Sequence, residues 1–197
     1  VKVAALVGIL RHAQFGQRTP EATLAIQRAM LQLAGSPGAP ARSAEGHAWM
    51  RAQAAKALGL LRSAGENGAV PRLLASLVAD EQLDMLVRCH AAAALGQINY
   101  AGAAGMNASQ LVGTLGQLAA DAIRAEADAY DADPESFSRR RLKAELVAVR
   151  RGLVGDDDDE QSRGIAPLAT RSEEQQTLAA LRDEVEGLLE SFDDKQM

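Results

Sequence analysis

Two stretches of this sequence match each other at a fixed spacing, and this internal repeat limits what the chain can fold into. Residues 50–59 match residues 87–96 at an offset of 37, and Leu74 matches Leu111 at the same offset in the helix predicted to follow each stretch. An offset shared by two helices and the turn between them indicates that the repeating unit is a helical hairpin. A single hairpin cannot bury both of its faces, so such units are stabilised by stacking on their neighbours.

The residue usage favours helices throughout the chain. Ala, Leu, Arg, Glu and Gln fill most windows, whereas aromatic residues make up only 3% of the sequence. We therefore predict an all-α fold, a right-handed α-solenoid of about four stacked helical hairpins that forms a single domain over residues 1–197. The predicted helices span residues 1–14, 20–34, 47–63, 69–79, 81–98, 108–129, 134–153 and 173–192. They pair into hairpins at residues 1–34, 47–79, 81–129 and 134–192, the last of which is degenerate or capping.

Capping signals support four of these helix starts. In two of them, a residue whose side-chain oxygen can accept a hydrogen bond precedes a proline. In the other two, such a residue lies three positions before a Gln, the spacing of a capping box. The four signals are Thr19 before Pro20, Asp133 before Pro134, Asn107 with Gln110, and Ser172 with Gln175.

Two stretches are predicted to be irregular connections. Residues 35–46 contain several Gly and Pro residues, which interrupt regular structure. Residues 155–170 include an acidic run at positions 156–160, which we expect to form a solvated, self-repelling loop. This run lacks the Gly and Glu positions of a calcium-binding EF-hand loop. Both connections are longer than the median, so they are the segments most expected to move.

Each copy of the repeat carries the pattern (Met/Val)-Arg-x-x-Ala-Ala-x-Ala-Leu-Gly, at residues 50–59 and 87–96. This pattern resembles the HEAT-like repeats of the phycobilisome-lyase type. The resemblance covers residues 47 to about 118 well and the remainder weakly. It implies a HEAT-like or ARM-like superhelix.

The resemblance also implies structural roles for four residues. Arg51 and Arg88 would cap or bridge adjacent hairpins, and Gly59 and Gly96 would permit close packing of helices. On function the resemblance is nearly silent, because families of this kind include assembly scaffolds, regulatory subunits, chromophore lyases and some DNA glycosylases.

Charge and composition argue against several classes of protein. The formal net charge of −5 opposes binding to nucleic acid or anionic lipid. The sequence contains no apolar run of about 18 residues, so it predicts no membrane span. The single cysteine, Cys89, rules out an intrachain disulfide and is compatible with a reducing compartment such as the cytoplasm. The apolar pattern is already under way at Val3, which we interpret as a trimmed start, so a targeting signal would lie outside this sequence.

No catalytic residue, metal site or cofactor is predicted. His12, His47 and His90 are too dispersed to suggest a metal site by their spacing. Cys89 occupies a small-residue packing position of the repeat, so we expect a buried and unreactive thiol. Trp49 immediately precedes the repeat motif and is predicted to belong to the core.

Two further segments have alternative interpretations. The basic run at residues 139–141 could grip a phosphate or an acidic peptide, but its acidic flanks favour a surface role or intramolecular pairing with the acidic loop. The apolar stripe of the last predicted helix, 173–192, favours a cap on the end of the stack over a detachable partner-binding helix.

We predict a non-catalytic protein–protein interaction scaffold or adaptor, whose partner is another protein. The second helix of each hairpin is expected to line the concave face of such a solenoid. Leu74 and Leu111 mark the buried side of two of these helices, so residues two positions away point outwards. This reasoning places Arg72, Ser76 and Ser109 on the predicted binding face.

Two alternatives stay open at this point. One is a HEAT-like lyase or hydrolase acting on a bulky ligand in the concave groove, which a pocket around Trp49 or His90 with a perturbed carboxylate would favour. The other is a nucleic-acid-binding protein, which requires a contiguous basic stripe. The candidates for that stripe are Arg139, Arg140, Arg141, Lys143, Arg150 and Arg151.

Overall fold

The computed structural model describes residues 2–17, 19–38, 42–101 and 105–193. Within these residues the chain forms eight α-helices and no β-strand, which confirms the all-α fold. The helices are α1 (Lys2–Phe15), α2 (Pro20–Ala34), α3 (Ala44–Leu60), α4 (Ala69–Ala79), α5 (Met85–Gln97), α6 (Ala108–Ala132), α7 (Arg139–Val154) and α8 (Ser172–Asp193). Short 3₁₀ turns lie at Glu66–Gly68, Pro134–Ser136 and Ala166–Leu168.

The helices pack in two rows. The first row consists of α1, α3, α5 and α7, in which each helix contacts the next. In the second row, α4 contacts α6 and α6 contacts α8. The rows are joined because α2 packs against α3, α4 against α5, and α6 against α7. The last two helices, α7 and α8, also pack directly against each other.

The core of the first row is built from small residues and leucines of the repeat. Leu58 and Leu95, which occupy equivalent positions, are completely buried. Small side chains let neighbouring helices approach at the short end of the usual interaxial range of about 8–10 Å. The buried alanines of the two copies, all at most 2% exposed, are Ala54, Ala55, Ala57, Ala91, Ala92 and Ala94.

The repeat glycines lie at close contacts between helices of the first row. A Cβ atom on Gly59 would lie 2.9 Å from the Cα atom of Ala94 in α5. A Cβ atom on Gly96 would overlap the carbonyl oxygen of Arg151 in α7. Neither position accommodates a side chain without displacement of backbone, so each glycine is required by the neighbouring helix.

Local caps decide where several helices begin. Thr19 and Asn107 each accept a hydrogen bond from the backbone N–H three residues later, at 3.2 and 3.1 Å, which confirms both predicted caps. The predicted cap at Ser172 is wrong, because this residue is already inside α8. The Glu174 carboxylate reaches back instead and accepts a hydrogen bond of 3.2 Å from the Thr170 N–H.

Two helices begin later than predicted. Asp133 caps only a 3₁₀ turn, and Ser138 caps the helix that follows, so α7 begins at Arg139 and not at residue 134. Similarly, α5 begins at Met85 and not at residue 81, because Asp84 provides its N-cap. In both cases a second capping residue a few positions downstream starts the helix.

The connection between α7 and α8 leaves Asp157, Asp158 and Glu160 exposed to solvent, as expected, but it is packed and ion-paired and not self-repelling. Ile165 is completely buried in it. Arg150 donates two hydrogen bonds of 2.9 Å to the Asp157 carboxylate, and Arg62 forms an ion pair with Asp159. Because arginines neutralise part of the acidic run, repulsion between its carboxylates does not drive this segment away from the protein.

Candidate functional site

The two repeat arginines join neighbouring helices in equivalent ways. Arg51 Nε donates a hydrogen bond of 2.8 Å to the carbonyl oxygen of Ala34, the last residue of α2. Arg88 Nε makes the corresponding bond of 2.9 Å to the Val78 carbonyl oxygen near the end of α4, and its Nη2 donates to Asp121 Oδ2 at 2.7 Å. Both arginines are buried. They satisfy carbonyl groups that a helix C-terminus leaves without a partner.

A groove of about 490 Å³ runs between α5 and α7, and we name it the α5–α7 groove. Its α5 side is lined by Leu86, Cys89, His90, Ala93 and Gln97. Its α7 side is lined by Arg141, Ala144, Glu145, Ala148 and Arg151. Both sets recur at intervals of three and four residues, as expected for one face of each helix. The α5 side extends for about 16 Å at the rise of an α-helix.

Small and apolar side chains leave space in this groove. Ala93 and Ala148 are only partly buried although they belong to closely packed helices, and Leu86 is 39% exposed. A volume of this size lies within the range of about 300–1,000 Å³ that is typical of ligand-binding pockets. The groove is therefore large enough for several bulky side chains or for one bulky ligand.

His90 contributes a neutral ring to the groove. Its Nδ1 lies 2.9 Å from the Leu86 carbonyl oxygen, and since a carbonyl only accepts, Nδ1 carries the proton and Nε2 carries the lone pair. Burial lowers the pKa of His90 and the nearby Lys56 charge lowers it further, which outweighs the hydrogen bond to Leu86. The ring is therefore uncharged at neutral pH and presents an acceptor at Nε2.

Glu145 is the carboxylate of the groove. Burial raises the pKa of Glu145, and the charge of Glu126 raises it further, against the opposing effect of Arg141. Cys89 shares the groove, and burial, assisted by the charge of Glu145, raises the pKa of its thiol to about 12. The thiol is therefore protonated and unreactive at neutral pH, as the sequence predicts.

The arginines beside the groove are already paired. Arg141 binds the carboxylate of Glu126, whose side chain is almost completely buried, and Arg151 lies 3.5 Å from Asp156. Burial alone would raise the pKa of Glu126, but hydrogen bonds from Arg141 and from the Ser138 N–H keep it below its ordinary value. The groove therefore presents an apolar surface with isolated polar groups, and its electrostatic potential is not strongly positive or strongly negative.

The predicted binding residues lie on the second row and do not line the α5–α7 groove. Arg72 and Ser76 are exposed on α4, and Ser109 is exposed on α6. The Arg72 guanidinium donates to the Asn67 carbonyl oxygen, and the Ser76 hydroxyl donates to the Leu73 carbonyl oxygen at 2.7 Å. Two of the three predicted residues thus already form hydrogen bonds within the chain, Arg72 to the 3₁₀ turn before α4 and Ser76 within α4.

The other residues singled out from the sequence have structural surroundings. Trp49 is partly buried and packs against the core, whereas the sequence predicts that it belongs to the core. His12 is exposed on α1, whereas His47 is buried with its Nε2 3.1 Å from the Ser36 carbonyl oxygen. Within the described residues, no group of three or more His, Cys, Asp or Glu side chains is arranged to hold a metal ion.

Sequence reasoning missed the α7 side of the groove. The repeat motif is clear in α3 and α5 but weak in α7. An alignment of α7 with the other two helices therefore does not show which of its residues face α5. The available signal was the spacing of Ala144, Glu145 and Ala148, which places a carboxylate between two alanines on one helix face. Such a face has room for another molecule beside an ionisable group.

Comparison with protein-family models, with curated proteins and with solved structures found no match to this chain. No helix among the described residues has the length and apolar character needed to cross a bilayer. The geometry of the α5–α7 groove is thus the main guide to function.

Proposed function

We propose that this chain is a HEAT-like α-solenoid that serves as a protein–protein interaction scaffold. The contacts along α1, α3, α5 and α7 and along α4, α6 and α8 support this architecture, because stacked hairpins bring alternate helices of the chain together. The equivalent bonds from Arg51 to α2 and from Arg88 to α4 support a common repeat geometry.

The α5–α7 groove is the observation that carries the proposal. A partner helix that binds in a groove presents apolar anchors at positions i, i+3 or i+4, and i+7. The two walls of this groove repeat at the same intervals, and alanines provide the space between them. Its length of about 16 Å corresponds to roughly three turns of a partner helix. An amphipathic helix of another protein is therefore the occupant that this shape fits best.

Blocking variants test the proposal against the second-row face predicted from the sequence. Ala144→Arg adds a long charged side chain at an exposed position of the groove, whereas Arg72→Glu and Ser109→Arg alter the second row. Proteins recovered from native cell extract with each tagged variant are compared by quantitative mass spectrometry. We expect a partner that is lost with Ala144→Arg and retained with the other two. Loss with Arg72→Glu and Ser109→Arg, but retention with Ala144→Arg, would move the binding surface to the second row.

A lyase or hydrolase acting on a bulky ligand is the second candidate. It is favoured by His90 and Glu145 in one groove, with the pKa of the imidazole lowered and that of the carboxylate raised, since such shifts accompany acid–base catalysis. A panel of bulky chromogenic esters and thioethers separates the candidates. Turnover that is absent in Glu145→Gln would support the enzyme. Absence of turnover together with a groove-dependent partner would support the scaffold.

Binding of nucleic acid receives less support from the geometry. Arg141, Arg150 and Arg151, three members of the proposed basic stripe, pair with carboxylates of the same chain. Such pairing reduces the positive potential that phosphate contacts require. A gel-shift titration at increasing salt is the test, because binding through phosphates weakens steeply as salt rises.

A further inference from the structure

A second exposed apolar surface lies at the C-terminal end of α6, separate from the α5–α7 groove. We name it the α6-end patch and define it by Ile123, Ala127, Tyr130 and Phe137, which line one shallow cavity of about 350 Å³. The three large side chains are 39%, 53% and 40% exposed. Large apolar side chains clustered in this way on a surface mark sites of interaction.

Two aromatic side chains of this patch contact each other within the chain. The rings of Tyr130 and Phe137 meet edge to face, with their centroids 6.2 Å apart and their planes at 90°. Aromatic side chains have few rotatable bonds, so such a pair loses little conformational entropy on binding. Tyrosine is also one of the residues that most often dominate the binding energy of protein interfaces.

Acidic residues dominate the chain segment that carries the patch, and one exposed carboxylate, that of Asp131, lines the cavity itself. Residues 125–138 contain five Asp and Glu residues and no Lys or Arg. Glu126 is buried and neutralised by Arg141, but the other four are exposed. Those four are Asp128, Asp131, Asp133 and Glu135.

We propose that the α6-end patch binds a basic amphipathic segment of another protein, with an apolar anchor in the cavity and Lys or Arg side chains against Asp131 and the other exposed carboxylates of this segment. An arginine of the partner has a second favourable contact, because a guanidinium over the Tyr130 face gains a cation–π interaction. A second copy of this chain is a poorer occupant, because each copy has a formal net charge of −5. The proposal is independent of the α5–α7 groove.

A displayed library of random 16-residue peptides provides the probe. Peptides are selected on the wild-type protein and sequenced, and parallel selections use three variants. Tyr130→Ala/Phe137→Ala removes the rings, Asp128→Lys/Asp131→Lys reverses charge without removing apolar surface, and Leu24→Ala is the matched control. Leu24 is 39% exposed on α2, as Ile123 is on α6.

We expect selected peptides that combine Lys or Arg with an aromatic or aliphatic anchor. They should bind both double variants at least about tenfold more weakly than wild type, bind Leu24→Ala normally, and weaken as salt rises. Melting temperatures within about 2 °C of wild type would show that the fold is intact. The proposal is overturned if no peptide is enriched, if enriched peptides are acidic or uncharged, or if they bind the double variants normally. It is also overturned if sedimentation shows that the wild-type protein is a dimer and that Tyr130→Ala/Phe137→Ala is a monomer, because a second copy would then cover the patch.

Discussion

Arg88 Nη2 lies 2.7 Å from Asp121 Oδ2, in an ion pair whose side chains are 4% and 10% exposed. This pair links the repeat motif of α5 to α6, while the Nε atom of the same arginine binds the Val78 carbonyl oxygen of α4. Arg88 therefore joins its own helix, α5, to both α4 and α6. Burial would raise the pKa of Asp121, but hydrogen bonds from Arg88 and Gln117 keep it below the ordinary value.

Removal of the Arg88 charge should therefore be costly. Arg88→Met leaves a buried carboxylate without its closest cation, and we expect a loss of about 3 kcal/mol or more in the free energy of unfolding, measured by denaturant titration. Arg124→Met is the matched control, because Arg124 binds the same carboxylate at 3.0 Å but is 62% exposed. Its expected loss is under about 1 kcal/mol. Equal losses in the two variants would contradict the importance of the buried pair.

Glu145 and Glu126 should have opposite effects on stability. The pKa of Glu145 is raised on folding, so its deprotonation destabilises the native state as pH rises from the ordinary value of about 4.3 through the raised value. Glu145→Gln should therefore melt above wild type at about pH 8, with the difference vanishing towards about pH 4. Glu126→Gln should melt below wild type at the higher pH, because it breaks the pair with Arg141. Shifts of the same sign in both variants would show that the assigned surroundings are wrong.

The close approach of α5 and α7 depends on Gly96. The Cβ atom of an alanine there would overlap the Arg151 carbonyl oxygen, so Gly96→Ala should lower the free energy of unfolding by about 1–3 kcal/mol. Gly113 lies in α6 with open space around it, and Gly113→Ala should stabilise by about 0.5–1 kcal/mol. Chemical denaturation of both variants checks the sign as well as the size. A tolerated alanine at Gly96 would mean that these helices are farther apart.

Leu95 should be a core residue of the first row. It is completely buried, so Leu95→Ala should cost about 2–5 kcal/mol as a cavity-forming substitution. Leu86 lies on the same helix but is 39% exposed, and Leu86→Ala should cost less than about 1 kcal/mol. Thermal and denaturant unfolding of the two variants gives the comparison. A small cost at Leu95 would exclude its position between helices.

The elements that were predicted well depend on local chemistry. Thr19 and Asn107 begin α2 and α6 because each side chain caps an N–H only three residues away. The sequence places the start of α7 too early, because Asp133 and Ser138 both cap a turn, and the Ser138 N–H is additionally bound by Glu126 of α6, a contact between distant elements. A sequence pattern shows capping bonds between residues that are close in the chain, but it does not show contacts between distant elements.

The candidate site was less predictable because it forms between helices that are far apart in the chain. His90 and Glu145 meet in one groove only once α5 and α7 pack together, and the pKa shift of each residue is caused chiefly by burial. The sequence marks His90 as one possible centre of a pocket but does not indicate which carboxylate would face it. The repeat alignment did not extend to Glu145, so no local signal joined the two.

Site-specific photocrosslinking tests the binding role of the α5–α7 groove most directly. The photoreactive residue p-benzoylphenylalanine is placed at Leu86 in the groove and, in a second protein, at Leu24 on α2, since both positions are 39% exposed. After irradiation in native cells, we expect a discrete protein adduct from position 86 that disappears when Ala144→Arg is added, and none from position 24. Adducts of equal yield from both positions, or an adduct at 86 that survives Ala144→Arg, would contradict the groove as the binding site.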